Sequence, residues 1–261
     1  MGFLSFLKPK NKSADVEKII SVNRPEADIT KTGIVVALFE IPHEQRNDEW
    51  YSQFYENVVT ASFAAASPQV LTGPDGFPYF ILNNPVINKP FESFCIKNMM
   101  DDFLLEKGWG VVFNPGEDGS ADWVFTYGNI LSLHLNNQFF PVTNAADVQN
   151  IEFTKTVGLI KKEEKVLVAQ PSEAYLPLYT RRVLKAFLQS KGIIRPKLML
   201  LSSVNEGNVI NKLAFNIHPE NYPDTCQLDY LMQQVGWFLP PNYIIVPLPK
   251  KSGLETDFHD M

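Results

Sequence analysis

Cysteine is scarce in this 261-residue sequence: Cys95 and Cys226, one in each half, are the whole supply. Secreted disulfide frameworks are cysteine-dense, so two isolated, apolar-flanked thiols exclude that class and point to a reducing cytoplasm. Long hydrophobic runs are also missing, and none reaches the roughly 18–20 residues of a membrane-spanning helix. The opening Met1-Gly2-Phe3-Leu4-Ser5-Phe6-Leu7-Lys8-Pro9-Lys10 places apolar residues ahead of positive charge, the reverse of a signal peptide. Phe6 stands where N-myristoylation requires Ser or Thr. Nor is there an excess of positive charge. The net charge is −6, with 10 Lys+Arg against 18 Asp+Glu in residues 1–150 and 13 against 11 in residues 151–261. Neither half carries the basic excess that a phosphate backbone selects, so no nucleic-acid partner is expected.

Complete catalytic patterns are absent as well. His218-Pro219-Glu220 matches half of the zinc deaminase signature, but that chemistry needs two further thiolates, and only Cys226 follows. Gly108-Trp109-Gly110 begins like a phosphate loop, yet Phe113 occupies the third glycine position and a strand follows where a helix is required. There is no Gly-x-Ser-x-Gly, and neither cysteine has a histidine partner nearby in sequence. Asp101 and Asp102 are adjacent, so on a helix they point about 100° apart, which does not suit paired-carboxylate chemistry. No metal, no cofactor and no enzyme activity is expected.

What the chain does have is core-forming material: 45% hydrophobic residues, 12% aromatic, including 19 Phe. That is enough for one large core or two ordinary ones. Ser13 with Val16, Ile19 and Ile20 reads as a capped helix up to Asn23. Residues 33–41, a largely apolar run closed by Pro42, read as a buried strand. Asp48 caps a helix with Trp50, Phe54 and Val58 on one face. Residues 61–72 and 77–82 read as a hairpin about Gly73-Pro74-Asp75-Gly76. A helix is expected over 91–106, stopped by Gly108, then strands at 109–113 and 123–125 around the turn Asn114-Pro115-Gly116, then a short helix over 128–135. Periodicity fades over 141–164, which ends in the mixed-charge run Lys161-Lys162-Glu163-Glu164-Lys165, a pattern typical of a solvated connector.

In the second half, strands at 166–169, 198–201, 213–217 and 243–246 alternate with helices over 176–190 and from Asp224 or Thr225 onward, with a turn at Asn205-Glu206-Gly207-Asn208. The order is β-α-β-β-α-β, the split-βαβ or ferredoxin-like arrangement. An RNA-binding version needs aromatics on its two central strands. The first strand has none, Phe215 is the lone candidate on the third, and Arg181-Arg182 is only a small basic spot. No internal repeat is visible. The expected fold is therefore α+β, with a mixed-sheet N-terminal domain over residues 28–142 followed by a ferredoxin-like C-terminal domain over 160–250.

Three segments taken together carry a resemblance. They are Asp75-Gly76-Phe77-Pro78-Tyr79-Phe80, Gly108-Trp109-Gly110-Val111-Val112-Phe113-Asn114-Pro115-Gly116, and Val166-Leu167-Val168-Ala169-Gln170-Pro171-Ser172-Glu173. In this order they are similar to the SseB-like, or enhanced serine sensitivity, family of bacterial proteins, over about residues 30–250. The resemblance implies a two-domain cytoplasmic protein with no established catalytic role.

The functional expectation is a non-enzymatic binding or regulatory protein acting through protein contacts. The alternatives are a sensor of serine-like amino acids and an unrecognised enzyme. Tyr79, Trp109, Asn114 and Gly116 are the candidate interaction surface. Gln170, Ser172 and Glu173, expected at a helix N-terminus whose free N–H groups suit a carboxylate, are the candidate amino-acid site.

Overall fold

The structure, a computed structural model, describes residues 27–141, 166–205 and 208–261. The expected helix at 13–23, the 142–164 connector, its charge run through Lys165, and the tip of the 205–208 turn lie outside the described residues.

Residues expected as a strand at 33–41 instead form helix α1 (Ile29–Phe39). The Asp28 side chain caps it, accepting from the backbone N–H groups of Thr30 and Lys31 at 2.8 and 3.3 Å. Its buried residues, Thr32, Val35, Leu38 and Phe39, recur at helical spacing, while Ile34 is exposed. Helix α2 (Asp48–Val58) follows, burying Trp50, Phe54 and Val58 as expected, but its cap is Asn47, which accepts from the Trp50 N–H, and Asp48, expected as the cap, is its first residue.

Strands β1 (Phe63–Thr72) and β2 (Pro78–Asn83) form the expected antiparallel hairpin. Its turn is closed by Gly73 N–H donating to the Phe77 carbonyl at 2.8 Å, with Gly76 at φ +84°. The expected helix over 91–106 starts later. A short strand β3 (Ser93–Phe94) comes first, then α3 (Ile96–Met99), a π-helical stretch (Met100–Leu104) and α4 (Leu105–Lys107). Gly108 ends this helical run in the left-handed region, as read from sequence. Strands β4 (Gly110–Phe113) and β5 (Trp123–Phe125) and helix α5 (Tyr127–Asn136) complete the first unit. Its sheet order is β3-β1-β2-β4-β5, with β2 and β4 parallel.

The second unit runs β6 (Val166–Ala169), α6 (Leu178–Ser190), β7 (Lys197–Asn205), β8 (Asn208–Phe215), α7 (Thr225–Gly236), β9 (Ile244–Pro247) and a short β10 (His259–Asp260). The helices and mixed sheets make the protein α+β, and the β-α-β-β-α-β succession is present. The sheet differs from the expected ferredoxin-like one. In a split βαβ unit the strands flanking the helix run parallel with a third between them. Here β6 lies directly beside β7 and antiparallel to it, Val166 opposite Ser203 and Ala169 opposite Leu200. The physical reason is that β7 is long enough to pair with β8 on one side and with both β6 and β10 on the other.

A repeat emerges that residue identity does not display. α2-β1-β2-helix-β4 and α6-β7-β8-α7-β9 have the same course: an antiparallel hairpin, then a helix that returns the chain to a strand parallel to the second. A Gly-Trp pair follows or closes each returning helix, Gly108-Trp109 in one and Gly236-Trp237 in the other. One hydrophobic cluster extends through both units, from Val35 to Ile245. On the other face of the second sheet, Met199, Leu201, Ala214, Val246 and Leu248 form a smaller core covered by Leu254 and Phe258.

Candidate functional site

The two units meet at Trp237, which touches the first unit in three ways. Its carbonyl accepts from the Gly128 N–H at 2.9 Å. Its ring stacks on Phe77, with centroids 4.2 Å apart and planes 10° from parallel. Its indole Nε1–H donates to the Tyr79 hydroxyl at 2.8 Å. The Tyr79 hydroxyl in turn donates to the Asp75 carboxylate, so Asp75, Tyr79 and Trp237 form one hydrogen-bonded chain across the junction. Burial, reinforced by Asp75, pushes the Tyr79 hydroxyl well above the usual phenol range. Backbones come close here: a Cβ on Gly128 would sit 2.0 Å from the Leu239 carbonyl oxygen, so only glycine fits. Further along, the Tyr127 hydroxyl donates to the Leu105 carbonyl at 3.1 Å and shares a 2.9 Å hydrogen bond with the Thr180 hydroxyl.

Beside this seam lies a cleft of about 510 Å³. The hairpin turn supplies Asp75, Gly76 and Phe77, and the end of α4 supplies Lys107 and Gly108. Across it, α6 and its C-cap supply Val183, Phe187, Ser190 and Lys191, and α7 with the residues after it supplies Tyr230, Gln234 and Phe238. The site therefore exists only where both units are docked.

The candidate interaction surface is not one surface. Tyr79 pairs with Gly110 and is buried against Trp237. Trp109, the next residue back on the parallel strand, packs against Phe80 and Phe103 on the opposite face, because neighbouring residues of a strand alternate. Asn114 has a structural task. It adopts φ +46°, its Oδ1 accepts from the Asn84 N–H at 2.8 Å, and its Nδ2 donates to Asp122 at 2.6 Å. Gly116 is exposed and closes the same loop by donating to the Ser120 carbonyl at 2.8 Å.

Gln170, Ser172 and Glu173 are exposed on the turn after β6, but that turn is not the start of α6. The helix begins at Leu178 behind Pro177, whose extended ψ of 154° is the break. Ser172 closes a separate turn, its carbonyl accepting from the Leu176 N–H at 2.8 Å and its Oγ from the Tyr175 N–H at 3.2 Å. The free N–H groups that would meet a carboxylate lie on another stretch of chain, so the proposed grip is not assembled. Arg181-Arg182 is no basic spot either. Arg181 is buried and donates to the carbonyls of Leu176 and Pro171 at 2.9 and 2.5 Å, and desolvation lowers its pKa. Arg182 is paired with Glu106, its Nη2 donating to both carboxylate oxygens. His218 Nδ1 lies 2.9 Å from the Leu248 carbonyl, and no cluster of metal-ligating side chains occurs among the described residues.

Sequence reasoning did not find Lys107, Lys191, Gln234 or Trp237, which come from separate stretches of chain. The one available signal was the recurrence of Gly-Trp at the ends of two helices. No protein family, curated protein or solved structure matches the chain.

Proposed function

We propose that this chain is a non-enzymatic binding protein that acts through contacts with a protein partner in the cytoplasm. One observation supports this reading above others. Leu167, Val204 and Val209 are 76%, 71% and 65% exposed on one face of the second sheet. Val204 and Val209 are directly paired across the hairpin, and Leu167, opposite Ser202, is the diagonal neighbour of Val204. Three large aliphatic side chains grouped in this way are what a contact surface supplies and what an isolated soluble surface avoids. The resemblance to SseB-like proteins favours the same reading. No helix among the described residues is long and apolar enough to cross a membrane.

The test is affinity capture from native cells with wild type and a Val204→Lys, Val209→Glu double variant, whose directly opposed charges attract. Both positions are exposed, so the unfolding midpoint is expected to hold. A partner retained by the wild type and lost by the variant is the expected result. Identical capture by the two proteins removes the patch from the account.

The serine-like sensor is the second reading. Residues 170–173 do not form the expected grip, but the junction cleft offers it a site, and that cleft has chemistry of its own.

A further inference from the structure

We infer that the junction cleft is a binding site for a small organic anion: a carboxylate carried on an apolar, preferably aromatic, body.

The strongest sign is Gln234. This α7 side chain lines the cleft and is only 9% exposed. Its amide makes no hydrogen bond to any described residue. The amide is not sealed from solvent, so it is open to a guest in the cleft. An amide brings one acceptor oxygen and two N–H donors, so a bound carboxylate can accept from it.

The charge around Gln234 points the same way. Lys107 comes from the first unit and Lys191 from the second, and no described carboxylate lies within ion-pair distance of either. Each ammonium instead rests over a ring, Lys107 at 6.0 Å from the Trp109 centroid and Lys191 at 5.3 Å from that of Phe187. The cleft's one carboxylate, Asp75, is already engaged, accepting from the Phe77 N–H and the Tyr79 hydroxyl. Two cations against one hydrogen-bonded anion favour an anionic guest.

The floor defines the rest of that guest. Phe77, Phe187 and Phe238 form a continuous aromatic surface, with centroid separations of 5.8, 5.4 and 4.9 Å. A volume of about 510 Å³ falls in the range of roughly 300–1,000 Å³ typical of small-molecule sites. Phe77 also stacks on Trp237, so a guest on this floor perturbs a tryptophan at the junction. This inference does not rest on the protein contacts proposed above, since Leu167, Val204 and Val209 do not line the cleft, and either can fail alone.

The test is isothermal titration of the full chain with phenylacetate and 3-phenylpropionate, beside the neutral phenylacetamide and plain acetate, with tryptophan fluorescence recorded in parallel. One aryl carboxylate or both should bind saturably with a fluorescence change. Phenylacetamide and acetate should bind about ten-fold more weakly or worse, each lacking one half of the recognition. A Lys107→Gln, Lys191→Gln double variant should lose about ten-fold in affinity, and so should Gln234→Leu, while both keep the wild-type far-UV circular dichroism spectrum. The inference is overturned if neither acid binds at millimolar concentration, if the amide binds as well as the acid, or if folded variants bind like the wild type.

Discussion

At the scale of single residues, Trp237, Gly128 and Asn114 hold the packing and loops around the junction and the first sheet. Trp237→Phe keeps a ring against Phe77 but removes the donor to Tyr79. A lost neutral hydrogen bond of this kind costs about 1 kcal/mol, whereas Trp237→Ala also opens a cavity and should cost about 4 kcal/mol. Gly128→Ala forces a methyl group against the Leu239 carbonyl and should cost roughly 3 kcal/mol, at the upper end of overpacking penalties. Urea midpoints at constant m-value would check the three, with Trp237→Phe the mildest. Asn114→Ala combines a left-handed backbone with the loss of two side-chain hydrogen bonds and should cost about 2 kcal/mol. If it proves neutral, Asn114 does not hold the 84 and 122 loops together.

Among elements, legibility followed how local the determining physics is. The 73–76 turn was readable because Pro, Asp and Gly meet backbone requirements that act within a few residues. Gly108 was readable as a helix stop for the same reason. α1 was not, because Ile34-Val35-Val36 mimics a strand run, and short apolar runs do not distinguish helix from strand. The Asp28 cap and the packing of α1 on α2, where the Trp50 indole donates to the Leu38 carbonyl, settled it as a helix. Asp28→Ala should therefore cost about 1 kcal/mol and lower helical circular dichroism at intermediate urea, whereas no change in either would mean the cap does not support α1. The succession of elements in the second unit was legible, but the pairing of β6 with β7 was not, because strand partners are chosen by long-range contacts that hydrophobic periodicity does not encode. The cleft was invisible for a related reason: Asp75, Lys107, Lys191 and Gln234 lie on four separate stretches and converge only when two sheets dock.

For the molecule as a whole, two consequences follow from the shared core. The first is alkaline sensitivity. Burial raises the hydroxyl pKa of Tyr55, Tyr79, Tyr127 and Tyr243, and lifts Tyr175 and Tyr179 to about 12. In the unfolded chain these groups titrate near pH 10. Above that pH the unfolded state binds fewer protons than the folded one, so stability falls as pH rises. The contribution is intact below about pH 10 and lost through the elevated folded values. Urea midpoints should change little from about pH 8 to about pH 9 and fall steeply by about pH 11.

The second consequence is cooperativity, since Phe77, Tyr79 and Gly128 of one unit and Trp237 and Phe238 of the other belong to one packed seam. Separating the units would expose those rings and break the Asp75–Tyr79–Trp237 chain, and the cleft would cease to exist. The most direct test is equilibrium urea unfolding of the full chain, followed at once by tryptophan fluorescence and far-UV circular dichroism. The account predicts a single transition with coincident midpoints, shifted as a whole by Trp237→Ala. Two separated transitions, with Trp237→Ala moving only one of them, would contradict it.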